Sequence, residues 1–151
     1  MHRSGFRFPV IALAVGLLGG CLGACPVSCS GTVSQADHAR AEEAVLQFHV
    51  RLNKGDYDAI WETTSEELRG ASSREDLRAL LEAVHRKLGA EQYTATQTRS
   101  FMGRMGAMHL TLVQETKFNF GKGIETFVFK VERDRVTLSG YHINSADLIL
   151  R

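Results

Sequence analysis

The stretch from Met108 to Val131 reads MHLTLVQETKFNFGKGIETFVFKV, and its period decides the fold. Met108, Leu110 and Leu112, then Phe118 and Phe120, fall on even positions. His109, Thr111, Glu115, Lys117 and Asn119 fall on odd ones. A repeat of two puts one set of side chains on each face of a strand, here apolar against polar. Gly121, Lys122 and Gly123 supply a turn. The next strand answers with Phe127, Phe129 and Val131 on one face, against Thr126, Val128, Lys130 and Glu132 on the other.

Further strands flank this hairpin. Asp134 and Arg135 turn the chain into a strand from Val136 to Asn144. Upstream, Gln92 to Phe101 is rich in Thr and leads into a hairpin through Met102, Gly103, Arg104, Met105 and Gly106. The outcome is four antiparallel strands with one apolar face, which must be covered. Met102, Met105 and Met108 near Phe101 form a soft apolar cluster at the rim or end of the core, or a contact for a partner.

The cover comes from the preceding residues, where the period is 3.6. Ser34 caps a helix in which Ala41, Val45, Phe48 and Leu52 make one apolar stripe, and Gly55 ends it. Asp56 caps a short second helix that buries Tyr57, Ile60 and Trp61. A third begins at Ser72, with Glu75 as the partner in a capping box, and runs to Leu88 before Gly89. Its stripe is Leu77, Leu80, Leu81, Val84 and Leu88. Three N-terminal helices packed on one face of a curved four-stranded antiparallel sheet form an α+β domain. Residues 34–151 are expected to make this single domain, long enough for one modest core.

This order of elements resembles the cystatin-like folds related to nuclear transport factor two. Phe48, Leu52, Asn53, Lys54, Gly55, Asp56, Tyr57, Asp58 and Trp61 are similar to the long-helix, short-helix opening of small bacterial families of unknown function in that superfamily. Val136 to Ile143, reading VTLSGYHI, is similar to their closing strand, Trp-x-Val-x-Gly-Tyr-x-Ile, without its tryptophan. The resemblance implies a cone between helices and sheet, in which Tyr57, Trp61, Tyr93, Tyr141 and His142 are the candidate lining residues. Enzymes of that superfamily such as ketosteroid isomerase need a carboxylate base and a hydrogen-bond donor in an apolar pocket. No Asp or Glu falls on an apolar stripe here, Glu115 having the polar parity of its strand. The inward residues of the last strand depend on Gly140. Without a bulge there, His142 shares a face with Val136 and Leu138; with one, Tyr141 and Ile143 turn inward.

The N-terminus gives the location. His2, Arg3 and Arg7 precede an apolar run from Val10 to Leu18, which is the pattern of a secretory signal. A spanning helix needs ~20 apolar residues, and this run reaches Ala24 only by including four glycines, before Pro26. Leu18 to Cys21 resembles the lipobox of bacterial lipoprotein precursors, and Leu22 to Cys25 is a second match. The resemblance implies acylation of Cys21, with Cys25 the second choice, after removal of residues 1–20. Residues 21–33 then form a lipidated tether rich in Gly, Ser and Cys. With Cys21 acylated, Cys25 and Cys29 remain as an even pair able to form a small disulfide loop in an oxidising compartment. Leu22, rather than Asp, after Cys21 implies the outer membrane, facing the periplasm, in a two-membrane bacterium.

Composition and motifs narrow the function classes. The full chain carries 18 basic and 17 acidic residues, a formal charge of +1. Loss of Arg3 and Arg7 with the signal leaves 16 against 17, a charge of −1. Nucleic acid calls for a clustered basic face, which this balance does not supply. His38, His49, His85, His109 and His142 are scattered, with no metal-binding spacing, so neither a metal nor a cofactor is expected. There is no nucleophile elbow and no phosphate loop. A lipid-anchored envelope protein with a non-catalytic domain for a small apolar ligand or an envelope protein is the resulting expectation. An isomerase- or cyclase-like enzyme and a purely structural component are the alternatives.

Overall fold

In a computed structural model of the chain, residues 33–104, 107–133 and 135–150 are described. The signal segment, Cys21, Cys25, Cys29 and Met105 lie outside them. Five helices and four strands follow in the order α1 (Gln35–Lys54), α2 (Tyr57–Glu62), α3 (Glu66–Ala71), α4 (Arg74–Leu88), β1 (Glu91–Arg104), β2 (Ala107–Phe118), β3 (Gly121–Glu132), β4 (Arg135–Asn144) and α5 (Ala146–Leu150). The sheet is a strict antiparallel meander, β1-β2-β3-β4. Helices followed by an antiparallel sheet make this an α+β chain. No helix among the described residues is long and apolar enough to cross a membrane.

α1 forms for the reasons its sequence states. The Ser34 side chain accepts from the Asp37 N–H, and Asp37 returns a bond to the Ser34 N–H, a reciprocal capping box. Ala41, Val45, Phe48 and Leu52 are all buried, and Gly55 ends the helix with φ of 73°. Asp56 caps α2, whose Ile60 is buried while Tyr57 and Trp61 are half-buried against the core. The cap of α4 is Ser73 with Asp76, one residue beyond the expected Ser72 and Glu75. Leu77, Leu81, Val84 and Leu88 are buried along α4, whereas Leu80 is exposed. The short α3 and α5 are additional to the three expected helices.

The β2–β3 turn is also displaced by one step. Phe118 pairs with Gly121, so Asn119 and Phe120 form the loop and Gly121 opens β3. Phe120 is exposed there, while Leu110, Leu112 and Phe118 keep the expected inward face. On β4, Val128 pairs with Gly140 but Phe129 with Leu138, which leaves Ser139 as an extra residue. This bulge reverses the facing of the strand, so Leu138, Tyr141 and Ile143 all turn to the core.

Buried residues of α1 to α4 and of β2 to β4 form one cluster between the layers. Asn53 fastens the end of α1 to the start of β1, accepting from the Glu91 N–H at 2.8 Å and donating to its carbonyl at 3.2 Å. Near the other end of α1, Glu42 accepts from Arg99 Nε at 3.0 Å. Thr64 bridges to Leu138, and the Ser65 N–H donates to the Leu138 carbonyl at 2.8 Å, covering part of the β4 edge.

Gly89 joins the two layers at a sharp corner, with φ of 79° and ψ of −166°. An added Cβ would stand 2.8 Å from Asn119 Cβ and 2.9 Å from the Phe120 ring. Gly89→Ala is therefore expected to cost at least ~1–3 kcal/mol from backbone strain alone, read as a lower urea midpoint. An unchanged midpoint would mean that the corner has a different geometry.

Candidate functional site

Two features between helices and sheet have chemical potential: a buried polar centre and an apolar cleft. The centre is built on Glu125 of β3, which is 0% exposed. Its Oε2 lies 2.8 Å from His49 Nε2 on α1, and the Thr116 hydroxyl of β2 donates to the same oxygen. The Tyr141 hydroxyl of β4 donates to Oε1 at 2.7 Å. Four elements thus converge on one carboxyl group. Phe48 and Phe127 enclose it, each edge-on to the His49 imidazole. A buried carboxylate is tolerated only when its lone pairs are met in this way.

The polar network continues toward the β1 edge. The Thr94 hydroxyl lies 3.0 Å from that of Thr116 and donates to Gln114 Oε1 at 2.8 Å, and the Gln114 amide donates to Thr96 at 3.2 Å. His49 Nδ1 is buried without a hydrogen-bond partner. With a neutral imidazole that donates from Nε2, this leaves an idle lone pair, which costs less than an orphaned N–H of an imidazolium.

Burial pushes the Tyr141 phenol well above the usual tyrosine range, and the neighbouring Glu125 carboxylate adds to the effect. The folded chain then holds this proton more tightly than the unfolded chain. Stability from this source is complete below the unfolded value of ~10 and falls as pH rises beyond it. Alkaline titration followed at the tyrosinate absorbance is expected to show Tyr141 ionising only as the chain unfolds. In Tyr141→Phe that coincident step should vanish; its persistence would assign it to another tyrosine.

The cleft lies on the other side of Phe48 and Phe127. Its volume is about 220 Å³, and its walls are Ala44 and Phe48 of α1, Phe127 and Phe129 of β3, and Val136 and Leu138 of β4. Gln47, Arg51 and Thr63 complete the lining. Positions 44, 47, 48 and 51 are one helical face, which flanks the buried stripe of α1 and shares Phe48 with it. No carboxylate lines it.

The sequence-predicted lining residues do not meet at one place. Tyr141 is at the polar centre. Tyr57 bonds to His85 Nδ1 at 3.0 Å, between α2 and α4, where burial raises its phenol, with Glu82 adding and Arg78 opposing. Trp61 is half-buried beside Arg69, whose guanidinium carbon is 5.8 Å from the ring centroid. Tyr93 is 64% exposed and pairs in register with the exposed Lys117, so it points away from the core. It lines a depression of about 530 Å³ with Lys117, Lys122 and Asp147 at the β2–β3 turn. His142 is exposed as well, because the Ser139 bulge gives the inward position to Tyr141.

Sequence reasoning missed Glu125 and His49. Glu125 has the odd parity of Phe127 and Phe129, and His49 follows Val45 by four residues on the buried stripe. Both signals were present, so the expectation that no acidic residue lies on an apolar face is corrected. Among the described residues, no group of three or more His, Cys, Asp or Glu side chains could hold a metal ion. Comparison of the chain with protein families, curated proteins and solved structures finds no match.

Proposed function

We propose that this chain is a cell-envelope protein, anchored through acylated Cys21, whose domain holds a small apolar ligand in the cleft between α1 and β3–β4. The reading takes the domain to be of the cystatin-like type related to nuclear transport factor two. The observation that carries it is the cleft itself: aromatic and aliphatic walls, polar groups confined to a few positions, and no acidic lining. Its volume lies below the ~300–1,000 Å³ of drug-sized sites, which favours a compact ligand. Native and denaturing mass spectrometry of the purified chain tests this. A mass excess found only in the native spectrum supports a held ligand, whereas a bare chain mass favours an envelope-protein partner or a structural role.

Anchoring has its own test. One acyl chain holds a protein reversibly, and further chains make attachment stable. Cys21→Ala is expected to abolish palmitate labelling and to move the chain from the membrane to the soluble fraction. Labelling that survives would assign the lipid to Cys25.

A second reading, an isomerase- or cyclase-like enzyme, draws on Glu125, His49 and Tyr141. A buried carboxylate with two ionisable neighbours is what such chemistry needs. None of the three lines the cleft, and the core is packed around them, so binding is the better-supported role.

A further inference from the structure

We infer that the cleft is selective for small apolar acids, and that Arg51 receives the carboxylate of the ligand. The inference rests on the cleft being a ligand site. Arg51 is half-buried and, among the described residues, is the only charged one lining the cleft. Among the described residues, no carboxylate pairs with its guanidinium. Several other arginines are paired, Arg40 with Asp37, Arg74 and Arg78 with Asp58, and Arg99 with Glu42, and Arg69, which bonds to Thr64 and to backbone carbonyls, does not line the cleft. A half-buried guanidinium without an anionic partner gains most from a ligand that brings one.

The rest of the lining fixes where that anion sits. The Gln47 amide donates to Glu43 at 2.9 Å and the Thr63 hydroxyl to the Ile60 carbonyl at 2.7 Å, so Arg51 is the lining group left to meet an anion. Arg51 is one turn farther along α1, in its last turn. An acid would therefore lie with its carboxylate toward Arg51 and its apolar body along Phe48, Phe127 and Leu138. The planar fork of Arg51 can bind both carboxylate oxygens, which a primary amide cannot match.

The test uses the full chain in lipid nanodiscs, titrated calorimetrically with 3-phenylpropionate and 3-phenylpropanamide, with empty discs as the blank. The acid is expected to bind at least about ten-fold more tightly than the amide. Arg51→Gln should close that gap, and a urea midpoint measured in parallel should stay unchanged. Ala44→Leu, which narrows the cleft, should weaken both ligands. Equal affinity for acid and amide overturns the inference and leaves the cleft as a neutral binding site. So does a gap that persists in Arg51→Gln, since the anion would then be held elsewhere. Failure of both compounds to bind, or binding unaffected by Ala44→Leu, overturns the ligand role of the cleft and this inference with it.

Discussion

Glu125→Ala should unfold much of the population under mild denaturant, at ~1–3 kcal/mol for each buried donor left without its acceptor. The reason is what remains behind. His49 Nε2, the Thr116 hydroxyl and the Tyr141 hydroxyl all lose their acceptor at once. A domain of this size is stabilised by only ~5–15 kcal/mol, so the shift in urea midpoint would be large. The double variant His49→Leu with Glu125→Leu also removes the His49 donor and should recover part of the loss, while the Thr116 and Tyr141 hydroxyls still lack this acceptor. A loss below ~1 kcal/mol in Glu125→Ala would show that the carboxylate is not enclosed by these donors.

Phe127→Ala is the second large effect. Its ring is fully buried and lies 5.1 Å from Phe48, 5.2 Å from Tyr141 and 6.4 Å from Phe129, centroid to centroid. Truncating a buried Phe leaves a cavity that neighbours fill only in part, at ~3–5 kcal/mol. Because Phe127 also walls the cleft, the variant should lose stability and ligand retention together. Trp61→Ala makes the control. Trp61 is half-buried at the edge of the core, so its loss should cost less than that of Phe127, even though Trp is the larger residue. Equilibrium urea unfolding of the two variants ranks them, and the reverse order would place Trp61 in the core.

The layers of this fold were legible because their signals are local and periodic. Four apolar residues of α1, the left-handed cap at Gly55 and the alternation along β2 and β3 each depend on near neighbours. α3 was not legible: in a six-residue helix only Leu68 is buried, and one residue defines no period. The one-residue displacements at Ser73 and at the β2–β3 turn have a similar origin. Adjacent serines offer equivalent caps, and either Asn119 with Phe120 or the glycines after them can form a tight loop.

The candidate site was harder to read than the layers. Tyr141 was legible only conditionally, since a single extra residue at Ser139 decides whether it or His142 faces the core. Glu125 and His49 lie 76 positions apart in the chain. Each has the parity or spacing of a buried residue, but a buried charge is improbable until its partners are known. The partners are fixed by sheet register and by the seating of α1 on the sheet, neither of which a local pattern contains. The cleft has the same character: its walls come from three elements, and its outline is a property of how they are spaced.

The meander has a consequence for the speed with which the chain reaches this structure. Every strand pairs with its immediate successor, so the sheet can assemble hairpin by hairpin, on the ~1–10 μs scale of each elementary event. The longest closures, such as His49 to Glu125 and Thr64 to Leu138, come from docking the helices, and these should set the barrier. Both prolines of the chain, Pro9 and Pro26, and all three cysteines precede residue 33. Refolding from denaturant should therefore lack the tens-of-seconds phase of prolyl isomerisation within the packed region, and it should proceed without an oxidant. A packed region built this way should reach its fold without help from a prolyl isomerase or a thiol oxidase.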